Sequence, residues 1–265
     1  MNTIVITGHN GFLSSNLLSN LISNKCKILG ISKTIKKSNS IKQIKRNILD
    51  VKDSDIPKNS CIIHLAAITD VAYCEKYPKK CHDVNVIGTQ KILEIARKKN
   101  CSMIYPSTSH VYGIPKKLPI KETHPINATS VYSESKIKAE QLCKKFSKSY
   151  DLDISILRLF STYGPKNSEY KVESIIIKQL ITKNLIKIGN LSPKRDFIYI
   201  DDVINAFQIV SENLKGFNIY NVGSEKSYSI QEICNILKKL NGKKIRIITD
   251  KTKLRKNDVK NVTPK

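Results

Sequence analysis

The chain of 265 residues carries 46 Lys and Arg against 22 Asp and Glu, a formal net charge of +24, with 40% hydrophobic residues. This length and composition fit a globular chain that buries a sizeable core, with one large domain or a domain and an appended lobe. No apolar run reaches the roughly 18 residues of a membrane-spanning helix. The first apolar strand starts at Thr3, which leaves no room for a signal peptide, so we expect a cytoplasmic protein.

Lysine supplies nearly all of the positive charge, because only six basic residues are arginine. The lysines are scattered along the chain and there is no Trp, whereas nucleic-acid binding favours arginine and interleaved aromatic residues. We interpret most of these lysines as solvent-exposed residues on the surfaces of helices and loops. A smaller part of the charge would attract anionic ligands. Nucleic acid is therefore not the expected partner.

The cysteines and histidines exclude two further classes of protein. Seven cysteines without a Cys-x-x-Cys pair indicate a reducing compartment and not a disulfide scaffold. The five histidines lack the spacing of metal ligands, so we expect no metal site.

Strand and helix patterns alternate from the N-terminus. Strands are predicted near 3–7, 27–31, 43–48, 60–66, 102–107, 154–160 and 217–222, with helices at about 11–23, 86–99 and 131–149. Parallel strands joined by right-handed helical crossovers make a doubly wound sheet. From about residue 166 the pieces become shorter, with a helix near 172–183, a strand near 186–189 and a helix near 229–240. We therefore predict a domain over 1–165, to which 196–222 returns, and a small lobe over 166–265.

The turn after the first strand contains two glycines, Gly8 and Gly11, before an apolar helix face. Such a turn presents backbone N–H groups at a helix N-terminus, which attracts a pyrophosphate. Gly8 permits the tight turn and Gly11 allows close approach of the ligand. A Gly-x-x-Gly alone is a weak pattern, but its position after a strand and before a helix predicts a dinucleotide site.

A second set of residues carries chemistry. Tyr132 and Lys136 stand at i and i+4, so on a helix they share one face. A nearby ammonium favours phenolate, which makes Tyr132 a candidate proton acceptor with a lowered pKa. Thr108 ends an apolar strand, where a hydroxyl points into the ligand crevice of an open α/β sheet. Alone, the Tyr/Lys pair also fits an exposed helix face; with the glycine turn it predicts a catalytic set.

These features resemble the extended short-chain dehydrogenase/reductase family, in its nucleotide-sugar epimerase/dehydratase branch. The resemblance also rests on Ile63-His64-Leu65-Ala66-Ala67, Asn85-Val86-Ile87-Gly88-Thr89, Ser107-Thr108-Ser109-His110-Val111-Tyr112-Gly113, the segment 157–165, Arg195-Asp196-Phe197-Ile198-Tyr199-Ile200-Asp201-Asp202-Val203 and Tyr220-Asn221-Val222-Gly223. It implies a Rossmann-type α/β fold with a small C-terminal substrate lobe. It also implies an NAD(P) cofactor, a nucleotide-sugar substrate and a homodimer formed through helices 86–99 and 131–149.

By this resemblance, hydride transfer takes place at a sugar carbon. Thr108, Tyr132 and Lys136 are the catalytic residues: Tyr132 exchanges the hydroxyl proton, Lys136 holds the nicotinamide ribose, and Thr108 hydrogen-bonds the reacting oxygen. The expected cofactor-binding residues are Gly8, Asn10, Gly11, Phe12, Leu13, Ser32, Lys33, Asn47, Ile48, Leu65, Ala66, Ala67, Tyr132 and Lys136. Ser14 replaces the usual third glycine and is small enough for helix–strand packing.

The end of the second strand bears on the choice of cofactor. An NAD enzyme normally carries an acid near Ser32 to hold the ribose hydroxyls, and here a cation, Lys33, follows instead. Ser32 and Lys33 could bind a 2′-phosphate, so NADP is favoured over NAD. Alternatively, Lys33 only begins a basic loop.

The expected substrate-binding residues are Thr108, Ser109, His110, Ser161, Arg195 and Arg255. Members that catalyse dehydration carry Asp-Glu where this chain has Ser109 and His110, so epimerisation or keto reduction is favoured over dehydration. His110 could contact the sugar, cap a helix or lie in the core. Arg195 suits a diphosphate because its planar fork matches phosphate oxygens.

Two points leave the function open. Arg255 stands in a segment after which the family usually continues, so the lobe looks short at its C-terminus. A non-catalytic dinucleotide- or RNA-binding protein of the same fold is the alternative from another class. Steep salt dependence of RNA binding would distinguish it.

Overall fold

A computed structural model describes residues 3–23, 26–36, 40–183, 185–242, 245–253 and 261–265. Arg255, expected to contact substrate, lies outside the described residues. The strands, in chain order, are β1 (Ile4–Thr7), β2 (Ile28–Ser32), β3 (Lys42–Lys45), β4 (Cys61–His64), β5 (Ser102–Thr108), β6 (Ile154–Leu159), β7 (Ser161–Tyr163), β8 (Leu185–Ile188), β9 (Lys194–Tyr199), β10 (Phe217–Val222), β11 (Ser227–Ser229), β12 (Arg246–Thr249) and β13 (Asn261–Val262).

The helices alternate with these strands through the first part of the chain. In chain order they are α1 (Phe12–Ser23), α2 (Val71–Lys76), α3 (Pro78–His82), α4 (Gly88–Lys99), α5 (Val131–Tyr150), α6 (Val172–Thr182), α7 (Ile200–Glu212) and α8 (Ile230–Asn241). A π-helical turn, Asp83–Ile87, joins α3 to α4. Within the described residues, no helix is long and apolar enough to cross a bilayer.

The large sheet has seven parallel strands in the spatial order β10-β6-β5-β4-β1-β2-β3. The order reverses between β1 and β4, because the chain leaves β1 towards β2 on one side and returns to β4 on the other. In sheets of this kind, ligands bind beyond the carboxyl ends of the strands at that reversal. The expected Rossmann-type doubly wound sheet is thus observed.

Apolar side chains fill both faces of the sheet, as expected for strands covered by helices on each side. One layer packs Val5, Ile62 and Tyr105 against α4 and α5. The other packs Ile6, Ile63 and Leu157 against α1 and α7. Burial of β-branched and large aliphatic side chains on both faces of each strand removes apolar surface from water, which stabilises the sheet.

Most strands after β6 lie outside the large sheet, in two smaller sheets. β7, β9, β11 and β13 form one sheet, and β8 pairs with β12 in another. A separate apolar cluster around Ile176, Ile186 and Ile230 joins α6, β8 and α8. β10 lies in the large sheet beside β6, whereas β9 lies in the small sheet. Within 196–222, α7 packs on a face of the large sheet and β10 joins its edge, whereas β9 does not belong to it.

A buried ion pair fastens α5 to the large sheet. Arg158 of β6 contacts Glu140 of α5 through two hydrogen bonds of 3.1 and 2.7 Å. The Arg158 guanidinium also donates to the Tyr112 hydroxyl at 2.9 Å and to the Glu122 carbonyl at 3.0 Å. A buried charge pair is tolerated when its remaining polar groups are hydrogen-bonded, as they are here. This fixes the orientation of the helix that carries Tyr132 and Lys136.

Candidate active site

The glycine turn between β1 and α1 is closely packed against the end of β4. Gly8 has a φ of +69°, and a Cβ added there would lie 2.8 Å from the backbone of Ala66. Only glycine therefore fits, both for the left-handed backbone and for the contact. The Gly8 N–H donates to the Ile31 carbonyl at 2.7 Å, which ties the turn to β2.

Ser14, the residue in place of a third glycine, stabilises this turn. Its buried hydroxyl lies 2.9 Å from the Gly8 carbonyl and 3.1 Å from the Gly11 carbonyl. The side chain thus satisfies main-chain carbonyls inside the turn and leaves the N–H groups at the start of α1 free to face a ligand. Phe12 and Leu13, which begin α1, are half-buried and pack against the core layer on this side of the sheet.

His64, at the end of β4, joins three elements through a chain of hydroxyl groups. Its ring nitrogens lie 2.7 Å from Thr7 Oγ1 and 3.1 Å from Thr89 Oγ1. Thr89 donates its own proton to the Asn85 carbonyl at 2.7 Å, so Nε2 of His64 carries a proton and Nδ1 accepts from Thr7. Burial lowers the pKa of His64 to about 3, and the charge of Lys136 adds to that shift. His64 is thus a neutral structural residue beneath the crevice.

The three predicted catalytic residues meet at the carboxyl end of β5. Thr108 ends that strand, while Tyr132 and Lys136 face it from the first turns of α5, and all three are buried. Ser130 caps α5 by accepting from the Ser133 N–H at 3.1 Å. A hydrogen bond joins the Thr108 hydroxyl to Tyr132. The structure therefore brings a phenol, a hydroxyl and an ammonium to one place.

The electrostatics differ from the expectation at Tyr132. Burial raises the pKa of Tyr132 above its usual range, and the bond from Thr108 opposes that shift. Lys136 points instead to the Pro106 carbonyl, at 2.7 Å, and over the Tyr105 ring, at 4.2 Å from its centre. The expected lowering of the Tyr132 pKa by Lys136 is therefore wrong, because the loss of water around the buried phenol outweighs the hydrogen bond from Thr108. Burial also lowers the pKa of Lys136 to about 8, although Glu140 partly opposes this.

Two buried residues that the sequence patterns left unassigned position α5. Asn85 donates to the Ser135 hydroxyl at 3.0 Å and exchanges two hydrogen bonds with the backbone of Ile68. Ser135 in turn donates to the Tyr132 carbonyl at 2.7 Å. The available indications in the sequence were that Asn85 lies in the segment 85–89, which contributes to the family resemblance, and that Ser135 lies between Tyr132 and Lys136. They lock the loop after β4 to the helix that carries the catalytic pair.

The predicted substrate residues cluster in part. Ser109 is buried directly after Thr108, and the exposed His110 lies edge-on to the Tyr132 ring, with centroids 5.9 Å apart. Ser161 begins β7, two residues after Leu159, which pairs with Thr108. A core role for His110 is excluded by its exposure.

Arg195 lies on the adjoining strand β9. Its guanidinium lies 2.8 Å from the carbonyl of Lys194, and the neighbouring Asp196 is fully buried. Asp196 accepts hydrogen bonds from Ser224 and Lys226 and so anchors this strand to the loop after β10. Arg195 is thus presented from a fixed backbone.

The residues predicted for the adenosine side differ in their exposure. Ser32 ends β2 half-buried, Lys33 is exposed directly after it, and Leu65, Ala66 and Ala67 follow β4 half-buried. Asn47, however, caps a short 3₁₀ helix by accepting from the Leu49 N–H at 3.4 Å. Ile48 is buried against Gly88. Its side chain therefore belongs to the core, so contact with adenine through it is not supported.

The arrangement fits a dinucleotide. The Gly8 position has no room for a side chain, and the buried Ser107 hydroxyl has no partner within the described residues. Lys136 makes its one described hydrogen bond through a group with three donors. Among the described residues, no three His, Cys, Asp or Glu side chains are grouped as metal ligands. A parallel sheet with this turn and a buried Tyr/Lys pair defines a short-chain dehydrogenase/reductase-type enzyme.

Comparisons with known proteins define the family. Residues 4–223 match the NAD dependent epimerase/dehydratase family. A putative UDP-glucose 4-epimerase of Methanocaldococcus jannaschii is 32% identical over 249 residues, which cover 89% of this chain and 81% of that protein. The chain therefore belongs to the NAD dependent epimerase/dehydratase family.

Solved structures agree. UDP-glucuronic acid 4-epimerase from Bacillus cereus, in complex with UDP-glucuronic acid and NAD, is 28% identical with a TM-score of 0.88, over 99% of this chain and 90% of that one. MoeE5 in complex with UDP-glucuronic acid and NAD has a TM-score of 0.92 at 23% identity, over 100% and 90%, and so supports the fold. The predicted family, fold class and enzyme class, that of nucleotide-sugar epimerases and dehydratases with a nicotinamide cofactor, are confirmed.

Proposed function

We propose that the protein is an NAD(P)-dependent epimerase of nucleotide sugars that inverts a hydroxyl-bearing sugar carbon, most simply C4. The observation that carries the proposal is the meeting of Thr108, Tyr132 and Lys136 at the carboxyl edge of the large sheet, beside the glycine turn. The similarity to the archaeal relative named as a UDP-glucose 4-epimerase supports it.

Each residue has a role that follows from its position. Tyr132 takes the proton from the sugar hydroxyl and returns it, and Thr108 both hydrogen-bonds the reacting oxygen and stabilises the phenolate. Lys136 holds the nicotinamide ribose with the donors that the Pro106 carbonyl leaves free. A bound nicotinamide would supply the hydride chemistry at the sugar carbon. Burial of these side chains excludes water, which protects the keto sugar.

The proposed contacts to substrate come from Ser109, Ser161 and Arg195, with Arg195 at the diphosphate. Dehydration is disfavoured because Ser109 and His110 occupy the place of an Asp-Glu pair, so the two carboxyl groups that drive water elimination in dehydratases are missing there. A keto reductase is the nearer alternative, since it needs the same three catalytic groups. A non-catalytic RNA-binding role has no use for a buried Tyr/Lys pair.

For the cofactor, we propose a preference for NADP over NAD. No acidic residue precedes Asp50, whereas the same stretch holds seven lysines and one arginine. A carboxylate at the end of β2 would repel a 2′-phosphate, and the exposed Lys33 there would attract it. Lys33 forms no ion pair within the part of the chain that the structure describes.

We further propose that the site lies between a dinucleotide domain over 1–165, joined by 196–222, and a substrate lobe over 166–265. Tyr170 of the lobe reaches Thr69 of the loop after β4, with the two hydroxyl oxygens 3.2 Å apart, which fits a crevice closed from both sides. A homodimer through α4 and α5 and a cytoplasmic location complete the proposal. All seven cysteines are free thiols, as that location requires.

The test is incubation with UDP-glucose, UDP-N-acetylglucosamine and UDP-glucuronic acid, each with NAD or NADP, followed by NMR of the sugar. An epimerase gives the C4 epimer with no net change in cofactor absorbance. A reductase instead consumes the reduced cofactor when offered a keto sugar, and a dehydratase releases water and forms a deoxy-keto sugar. Failure to convert any of the three sugars, with bound cofactor demonstrated, would count against epimerisation.

A further inference from the structure

His9 lies inside the glycine turn, yet its side chain is turned away from the turn and buried in the fold. It is 2% exposed. The ring packs on β2 at Gly30, where an added Cβ would lie 2.7 Å from His9 Cγ. Gly30 thus has no side chain because the histidine occupies that space. A buried ring with two polar nitrogens, packed against a strand, calls for a role beyond filling volume.

Hydrogen bonds determine the protonation of the ring. His9 Nε2 lies 2.9 Å from Oε1 of Gln43, on β3. The Gln43 amide also pairs with both backbone groups of Lys36: Oε1 accepts from the Lys36 N–H at 3.1 Å, and Nε2 donates to the Lys36 carbonyl at 2.7 Å. The pairing with Lys36 fixes which amide atom is oxygen, so His9 Nε2 must carry the proton. We call this chain of contacts the His9–Gln43–Lys36 bridge.

The neighbouring residue of the turn supports the same segment. Asn10 Nδ2 donates to the carbonyl of Thr34 and lies 3.0 Å from its hydroxyl. Two consecutive residues of the phosphate-binding turn therefore hold residues 34–36, which leave the end of β2 directly after Ser32 and Lys33. Residues 33–36 are otherwise exposed, so these contacts replace the core packing that would fix a buried segment.

We propose that the His9–Gln43–Lys36 bridge fixes residues 33–36 beside the adenosine ribose of the cofactor, and that His9 is thereby a specificity-determining residue. Lys33 has a long flexible side chain, and a backbone held in advance reduces the ordering cost of its contact with a 2′-phosphate. The bridge also couples the turn that binds the pyrophosphate to the segment that selects the ribose. This inference rests on the proposed function, specifically on the NADP preference.

The experiment compares His9→Leu, His9→Gln and Gln43→Leu with the unmutated protein. Leucine fills the volume of the ring and donates nothing, whereas the glutamine amide places a donor near the position of Nε2. Dissociation constants for NADPH and NADH are measured by cofactor fluorescence, and hydrogen exchange of the Lys36 amide is followed by NMR. In His9→Leu, we expect the NADPH-to-NADH affinity ratio to fall about three- to tenfold, the effect of one neutral hydrogen bond. The Lys36 amide should exchange about tenfold faster.

The controls separate positioning from a general disturbance. His9→Gln should keep most of the ratio, and Gln43→Leu should lose it without altering the glycine turn, which also covers the case in which His9→Leu does not fold. Equal weakening of both cofactors, or an unchanged ratio in both leucine variants, would overturn the proposal. Equal affinities in the unmutated protein would remove the NADP preference, and with it the specificity role. Protected exchange at Lys36 in both leucine variants would instead disprove the bridge while leaving the preference intact.

Discussion

The ammonium of Lys136 donates a hydrogen bond of 2.7 Å to the carbonyl of Pro106, and this bond joins the first part of α5 to β5. The contact holds the lysine at the carboxyl edge of the sheet, two residues from the end of β5. The same ammonium lies over the Tyr105 ring, 4.2 Å from its centre, and burial, not Lys136, dominates the pKa of Tyr132.

Lys136→Ala should weaken cofactor binding and slow turnover together, because in the proposed mechanism this side chain holds the nicotinamide ribose and completes the proton-transfer site. Loss of charge-assisted hydrogen bonds predicts a dissociation constant raised about ten- to a hundredfold. Titration by cofactor fluorescence and steady-state kinetics measure the two effects. Lys138→Ala, which breaks an exposed pair with Glu134, is the matched control and should change neither. An effect confined to turnover would contradict the ribose contact.

Tyr132→Phe should reduce turnover about 10²–10⁴-fold, the usual contribution of a general acid–base group, and leave cofactor affinity nearly unchanged. Only the proton-transfer oxygen is removed, while the ring remains to pack against Cys74 and Cys81. Steady-state kinetics and cofactor titration test both parts. Tyr150→Phe, the same substitution at the exposed end of α5, should behave like the unmutated protein. Activity within a few-fold of normal would remove Tyr132 from the mechanism.

Much of the large sheet was predictable from sequence, since its strands are buried apolar runs. The segment 102–107, for example, differs from the observed β5 by one residue. The prediction of a strand over 43–48 was too long: Asn47 caps a 3₁₀ helix and ends it, a local hydrogen bond that competes with the strand. β7 and β11, of three residues each, form because β9 lies beside them, and no short-range pattern records that pairing.

At the site, the residue types were predictable and their electrostatics were not. Spacing placed Tyr132 and Lys136 on one helix face; in the structure Tyr132 bonds to Thr108, and Lys136 bonds to the Pro106 carbonyl two residues earlier on the same strand. The pKa of Tyr132, however, depends on how completely the fold excludes water, which no pair of residues reveals. The burial of the Ile48 side chain against Gly88 was hidden for a related reason, because it is a tertiary contact.

His64 should make the protein lose stability in acid. Its pKa is about 3 in the folded chain, against an ordinary value of 6.5. Below pH 6.5 the unfolded chain therefore binds a proton at His64 that the folded chain does not bind. The contribution of neutral His64 to the free energy of unfolding is therefore fully present above pH 6.5. It is lost as the pH falls towards 3, by up to about 1.4 kcal/mol per pH unit. Urea unfolding across this range should show a flatter pH dependence for His64→Gln, which is also less stable near neutrality. His82→Gln, at an exposed ring, controls for loss of an imidazole. Parallel curves would count against the assignment.

The proposed homodimer can be tested at Ile87, which is 42% exposed at the start of α4. An isoleucine in that position stabilises a dimer if a second copy covers it. A glutamate there would have to be buried in the interface without an ion-pair partner, which destabilises the dimer. Light scattering should therefore give twice the chain mass of 30.0 kDa for the unmutated protein and a monomer for Ile87→Glu. Ile209→Glu changes an equally apolar but more exposed residue, on α7, and should leave the dimer intact. A monomeric unmutated protein at micromolar concentration would contradict the proposal.

Cofactor choice is tested most directly at the carboxyl end of β2. If Lys33 contacts a 2′-phosphate, a charge-assisted bond of about 1.5–3 kcal/mol predicts about ten- to a hundredfold tighter binding of NADP than of NAD. The preference should weaken as salt rises, since the lysine is exposed. Lys33→Ala should abolish most of it, and Ser32→Asp should invert it by adding repulsion and a ribose acceptor. Lys27→Ala, directly before the start of the same strand, should leave it unchanged. Equal dissociation constants in the unmutated protein would instead favour an epimerase that retains NAD, because an epimerase regenerates its own cofactor and has no need of the NADPH pool.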